Sequence, residues 1–227
     1  MDNARARIMA RIKRSAPKGD EAVRIAAVEE RLQHPQHNLV PERGQGDEAH
    51  RIAVFKRMLE TVGGTVEVLD DVNDVPASVA AYLRNTNRPA EIRRGSDERL
   101  AILPWHRAQT LEVKEGRAED ADTTSLTHAF AGVAESGTIV QLSGPENPTT
   151  LNFLPEAHIV LLEAKDLHAS YEEGWARLRA IYGPGQMPRT INMISGPSRT
   201  ADIEQTIIRG AHGPKRLFVV ILDERGP

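Results

Sequence analysis

The chain of 227 residues contains no cysteine, which excludes disulfides, thiolate catalysis, zinc thiolate sites and iron–sulfur ligation by its own side chains. Any redox centre it works with must therefore belong to a partner. An excess of one charge is also missing. With 29 Lys+Arg against 32 Asp+Glu the formal net charge is −3, too balanced for a nucleic-acid binder that relies on bulk charge. Long apolar runs are absent too. The longest, Leu217 to Leu222, has six residues, far short of the roughly 20 that a membrane span requires. Walker and Rossmann glycine spacings do not occur, so nucleotide binding by those geometries has no support. The first residues lack the apolar stretch of a secretory signal, although Arg5, Arg7, Arg11, Lys13 and Arg14 make them basic. A cytoplasmic location is expected, with an Arg-rich organelle transit peptide as the alternative.

What is present suits a packed globular core: 40% hydrophobic and 27% charged residues, in a length that fits one large α/β domain plus an arm. Residues 2–14 read as a basic helix with Ile8, Met9 and Ile12 on one side, and 20–33 as a second helix starting near Asp20. A break at Ala16-Pro17-Lys18-Gly19 and a polar stretch at 34–38 bound them. The expected division is an N-terminal helical arm over 1–45, docking on the main domain or a partner, and one domain over 46–227. From Asp47 helices and strands alternate, as in a largely parallel α/β sheet. Helices are expected around Ile52–Val62, Val75–Leu83 and 170–182, and a helical turn at 129–135. Strands are expected at 65–69, 100–103, 110–113, 138–142, 158–162, 190–194 and 217–222. The continuous apolar strands His158–Leu162 and Leu217–Leu222 suit a sheet covered on both faces.

An internal echo is the most informative feature. Thr138-Ile139-Val140-Gln141-Leu142-Ser143-Gly144-Pro145 matches Thr190-Ile191-Asn192-Met193-Ile194-Ser195-Gly196-Pro197 at Thr, Ile, Ser, Gly and Pro. On parallel strands both Ser-Gly-Pro turns would lie at carboxyl ends on one sheet edge, where such folds place ligands. Common turn chemistry repeated by chance is the alternative. The second turn continues into Ser198, Arg199, Thr200, Asp202 and Glu204, where a guanidinium and backbone N–H groups can receive a carboxylate or phosphate. Internal pairing of Arg199 with Asp202 or Glu204 is the competing role.

Glu135, beside Ser136-Gly137-Thr138, is a candidate nucleophile, base or substrate anchor; a turn-capping role is the commoner use of such a residue. His128, His158 and His212 are candidate bases or metal ligands, but no paired-ligand spacing supports a metal, and none is expected. The binding set expected from these motifs is Ser136, Gly137, Thr138, Ser143, Gly144, Ser195, Gly196, Ser198, Arg199, Thr200, Asp202 and Glu204. Glu135 and His212 are the candidate proton-handling residues, and they are expected to converge with Arg199 around one pocket, where Arg199 and the Ser195 to Ser198 turn receive an anion.

Ala134-Glu135-Ser136-Gly137-Thr138, Leu154-Pro155-Glu156-Ala157-His158, the run Ser195 to Glu204 and Gly210-Ala211-His212-Gly213-Pro214 together resemble the LUD-domain family, in its lactate-utilisation protein C (LutC/YkgG) branch. The resemblance is dense from about Ser125 to Asp223. It implies the three-layer α/β fold of the NagB/RpiA/CoA-transferase group. It further implies a cofactor-free subunit or accessory of an iron–sulfur system that oxidises L-lactate to pyruvate, with the clusters in partner proteins and a small carboxylate as ligand. Two other roles stay open: a free-standing acyl-CoA transferase-like enzyme with Glu135 as nucleophile, and a non-catalytic scaffold. Many relatives carry Gly and Asp where this chain has His128 and Phe130.

Overall fold

Helix-capping side chains open four of the helices, because Asp20, Asp47, Asp97 and Ser170 each accept a backbone N–H of the first turn that has no partner inside the helix. The structure is a computed structural model that describes residues 4–16, 19–34, 36, 39–183, 185–203, 206–210 and 212–224, with the backbone alone described over 200–203 and 206–209. Along the chain the elements are Ala4–Ser15 (α1), Glu21–Gln33 (α2), Glu48–Thr61 (α3), Thr65–Leu69 (β1), Val75–Asn85 (α4), Glu91–Arg94 (β2), Glu98–Ala101 (α5), Glu112–Glu115 (β3), Thr124–His128 (β4), Ala131–Val133 (β5), Thr138–Leu142 (β6), Thr150–Phe153 (α6), Ala157–Glu163 (β7), Leu167–His168 (β8), Tyr171–Tyr182 (α7), Ile191–Ile194 (β9), Arg199–Ile203 (β10), Thr206–Arg209 (β11) and Arg216–Leu222 (β12).

Residues 1–38 and 39–227 form two compact units. In the first, neither α1 nor α2 buries a residue, and Ile8, Ile12, Val23 and Leu32 are exposed. The second unit begins before residue 46, because the 3₁₀ turn Glu42–Gly44 is part of it. Buried Gly44 lies so close to the Ala169 carbonyl that a Cβ would sit 2.1 Å from its oxygen. Among the described residues no helix is long and apolar enough to cross a membrane.

The main sheet has six strands in the order β1-β12-β7-β4-β2-β3, and every pairing in it is parallel. Successive side chains of a strand face opposite sides, so each central strand feeds two cores. Val160 and Leu162 of β7 and Val219 and Ile221 of β12 pack with Ile52, Phe55 and Leu59 of α3. Ile159, Leu161, Val220 and Leu222 pack on the other side with Val75, Val79 and Leu83 of α4 and Leu100 of α5. Complete burial of Phe55 and Leu59 contributes about 1.5–3 kcal/mol each. A second sheet, β8-β5-β6-β9, lies on the α3 side: Ile139 of β6 joins the first core, while Val133 and Val140 face Tyr171 of α7.

Four expectations need correction. Residues 100–103 are not a strand: Asp97 caps the Arg99 amide and starts α5 there. Residues 129–135 contain β5 rather than a helical turn, since Ala131-Gly132-Val133 is completed on both edges by β6 and β8 and pairing overrides its weak strand propensity. Strands β2 and β4 escape a search for apolar alternation, because β2 has only Ile92 as an apolar residue and β4 buries Thr124, Ser125, Thr127 and His128. Finally, β6 and β9 are antiparallel and lie outside the parallel sheet.

Candidate functional site

Three adjacent parallel strands deliver charged side chains to one edge. His128 and Glu163 are the last residues of β4 and β7, and Asp97 follows the end of β2 by three residues. Carboxyl ends of parallel strands are where open α/β sheets hold ligands. A cavity of about 340 Å³ opens here, bordered by Asp97, Arg99, His128, Phe130, Ser143 and Asn147. The loop after β6 forms its far wall and rests on Gly95, where a Cβ would lie 1.8 Å from the Glu146 carbonyl oxygen.

Arg99 is held by a two-pronged bond to Asp97, with Nε at 3.0 Å from Oδ1 and Nη2 at 2.6 Å from Oδ2. The Asp97 side chain is 9% exposed and that of Arg99 49%, so the pair presents the cation to the opening and buries the anion. Burial alone would raise the Asp97 carboxyl, but the hydrogen bonds and charge of Arg99 outweigh it and keep the group below the ordinary carboxylate range. His128 is pushed down by burial and by the Arg99 charge, against the opposing pull of the Ala129 carbonyl, Asp97 and Glu163. Its Nδ1 lies 2.9 Å from that carbonyl, which assigns the proton to Nδ1 in the neutral ring. Nε2 is then a bare acceptor 3.2 Å from Glu163 Oε1 and makes no hydrogen bond among the described residues. Burial would likewise raise Glu163, yet Lys165, His128 and Arg99 together lower it.

A buried chain of polar groups positions the far wall. The Thr127 hydroxyl lies 2.7 Å from His158 Nε2, Gln141 Nε2 donates to Thr127 Oγ1, and Asn147 Nδ2 donates to Gln141 Oε1 and to the Leu142 carbonyl. Full burial pushes His158 down to about 3, so it stays neutral, with its Nε2 hydrogen-bonded to the Thr127 hydroxyl.

The residues expected to form one pocket are divided. Because β6 and β9 run antiparallel, Thr138 is brought to Ser195 while Thr190 is brought to Ser143, and the two Ser-Gly-Pro turns lie at opposite ends of the strand pair. The shared-edge expectation is therefore overturned: Ser143 and Gly144 border the cavity with His128, and Ser195 and Gly196 do not. At the other end, Thr138 Oγ1 lies 2.7 Å from the hydroxyls of Ser136, Tyr171 and Ser195. This end meets the last turn of α3: a Cβ on Gly137 would be 2.6 Å from the Leu59 amide, and one on Gly196 would be 2.7 Å from Val62 Cγ2.

The Arg199 guanidinium lies over Gly63, next in the chain, where a Cβ would meet its Nη2 at 2.1 Å. Ser198 receives the His212 backbone N–H at 3.4 Å, and the His212 side chain is exposed. Glu135 is buried and accepts the Tyr171 amide at 3.0 Å, a helix-capping arrangement at the start of α7. Among the described residues no hydrogen bond or ion pair joins Glu135 to Arg199 or His212. Thr200 and Asp202 lie on β10, with only the backbone described, and Glu204 lies outside the described residues.

Sequence reasoning named His128 but passed over Asp97, Arg99 and Glu163. The Asp97-x-Arg99 spacing was available as a capping signal before Leu100. Glu163 carried no signal until β7 was set beside β4.

The LUD domain pattern matches residues 52–222. The chain is 28% identical over 176 residues to "Lactate utilization protein C" of Shouchella clausii, covering 77% of this chain and 76% of that protein. It is 36% identical over 129 residues to the protein of the same name from Halalkalibacterium halodurans, covering 56% of this chain and 55% of that one. Among solved structures, a DUF162 family protein from Deinococcus radiodurans superposes with a TM-score of 0.56 at 19% identity, over 78% of this chain and 99% of its own, a likeness of fold. With the pattern spanning both cores and both edges of the main sheet, the chain belongs to the LUD-domain family.

Proposed function

We propose that this protein serves lactate utilisation in the cytoplasm as a cofactor-free component that works with iron–sulfur partner proteins oxidising L-lactate to pyruvate. Its own task is to bind a small hydroxy- or keto-carboxylate in the cavity at the carboxyl ends of β2, β4 and β7. The names of its relatives point to the metabolic role. The observation that carries the site is the Arg99 guanidinium, anchored on one edge by buried Asp97 and turned toward the opening. A planar guanidinium fixed in this way offers its remaining N–H groups to both oxygens of a carboxylate, which the point charge of lysine does not. Ser143 on the opposite wall, whose hydroxyl oxygen accepts the Thr190 amide and keeps its own proton to donate, suits the ligand's hydroxyl or carbonyl oxygen.

Calorimetric titration of the full chain with L-lactate and pyruvate tests the site. Saturable binding is expected, weakened about tenfold or more in Arg99→Lys with the thermal midpoint kept. Absence of saturable binding of either acid, or equal affinity in the variant, refutes the proposed site. Co-purification from lactate-grown cells tests the partners separately: cysteine-rich proteins with iron–sulfur absorption should accompany the chain.

A further inference from the structure

The opposite edge of the main sheet holds a second cavity, of about 320 Å³, where β1 and β12 begin and β7 is about to begin. Its lining includes Gly63, Tyr82, Arg88, Glu156, Lys215 and Arg216. Three cations thus face one carboxylate, in a chain whose formal net charge is −3. Glu156 is already shared, 3.4 Å from Arg88 Nη2 and 2.6 Å from Lys215 Nζ. Arg216 makes no ion pair among the described residues. A fourth cation adjoins, since the Arg199 guanidinium lies over Gly63 in the cavity lining.

Surface ion pairs alone account for little of this. The Arg88 side chain is only 9% exposed, and its Nε is buried with no hydrogen-bond partner among the described residues, while Nη1 donates to the Thr123 carbonyl. An arginine held this deep, beside two more cations and with a single carboxylate for company, is a cost that a bound anion offsets. Tyr82 adds a donor. Its ring stacks on Phe218 with centroids 4.4 Å apart, and burial raises its phenol against the lowering influence of Arg88 and Arg216, so the hydroxyl keeps its proton.

We infer that this amino-end cavity is a binding site for a phosphate-bearing small molecule, held by Arg88, Lys215 and Arg216 with Arg199 closing the side next to Gly63. Several cations converging on one point suit a dianion with three equivalent oxygens, whereas one guanidinium suffices for a monocarboxylate. The volume exceeds what inorganic phosphate needs and leaves room for a small organic part beside Tyr82. The site is independent of the proposed lactate cavity, from which the length of the parallel strands separates it.

Titration of the full chain with inorganic phosphate and pyrophosphate at constant ionic strength, with acetate as the control anion, tests the inference. Saturable binding of phosphate or pyrophosphate is expected, with no comparable response to acetate. Affinity should fall about tenfold or more in the double variant Lys215→Ala/Arg216→Ala, whose exposed positions spare the fold, and should be unchanged in Arg99→Lys. Four outcomes overturn it: no saturable binding, an equal response to acetate, equal affinity in the double variant, or loss of binding in Arg99→Lys alone. The last would move the anion to the lactate cavity.

Discussion

Ser143-Gly144-Pro145 and Ser195-Gly196-Pro197 follow strands of similar sequence, yet the first turn borders an open cavity with His128 and Arg99, and the second packs on the last turn of α3. The cause is pairing. Antiparallel β6 and β9 set each copy's opening threonine beside the other copy's serine, so the echo becomes a local two-fold arrangement with unlike surroundings at its two ends. One end is filled: Gly137 and Gly196 both have positive φ, 65° and 135°, and both touch α3. The other is open, and a Cβ on Gly144 would meet nothing within 4 Å. Identical turn chemistry therefore supports a packed joint in one place and the wall of a cavity in the other.

Substitutions at the glycines should break this symmetry most visibly. Gly137→Ala is expected to cost about 3 kcal/mol, combining left-handed backbone strain with a clash against the Leu59 amide. Gly144→Ala is expected to stay within about 0.5 kcal/mol. Chemical denaturation of both variants measures the contrast, and equal losses would remove the distinction between filled and open ends.

A second difference lies in pH dependence, because the open end is tied to buried His158 through Thr127, Gln141 and Asn147. The folded-state value of about 3 lies below the ordinary 6.5, so between these values the unfolded chain binds a proton that the folded chain does not. Stability is thus complete above pH 6.5 and falls as pH drops, by up to about 1.4 kcal/mol per pH unit from this residue. His158→Gln, which keeps a neutral hydrogen-bonding group, should flatten the curve between pH 6.5 and 4.5 in urea melts; an unchanged slope would show that His158 titrates normally.

A smaller loss than that of Gly137→Ala belongs to the same filled end. Tyr171→Phe removes one hydroxyl from the Ser136–Thr138–Ser195 group and should cost about 1 kcal/mol, with lactate affinity unaltered. Changed lactate affinity in this variant would couple two ends that the geometry keeps apart.

Much of the frame was readable in the chain. Ile52, Phe55 and Leu59 mark α3 by their spacing, and the apolar runs at 158–162 and 217–222 lie in β7 and β12, the strands with both faces covered. The site was less legible. Ser136, Gly137, Thr138, Ser195, Gly196 and Arg199 do gather about the end of α3, but Ser143 and Gly144 leave for the opposite end. Strand β4 hid because it buries the polar residues Thr124, Ser125, Thr127 and His128, of which Ser125 and Thr127 are held by bonds to the Leu151 carbonyl and to His158.

The sequence by itself determined local matters: where helices cap, where Ser-Gly-Pro turns the chain, which strands must be covered on both faces, and that no thiolate chemistry is available. These follow from backbone sterics, hydrogen bonding within a turn and apolar periodicity, all of which act over a few residues. Only the tertiary structure decided the direction of β9 against β6, the meeting of Asp97, His128 and Glu163 from three strands, and the gathering of Arg88, Lys215 and Arg216 at the opposite edge. Those arrangements depend on pairing and burial between segments distant in the chain, where the energy of a contact belongs to two positions and neither carries a mark of the other.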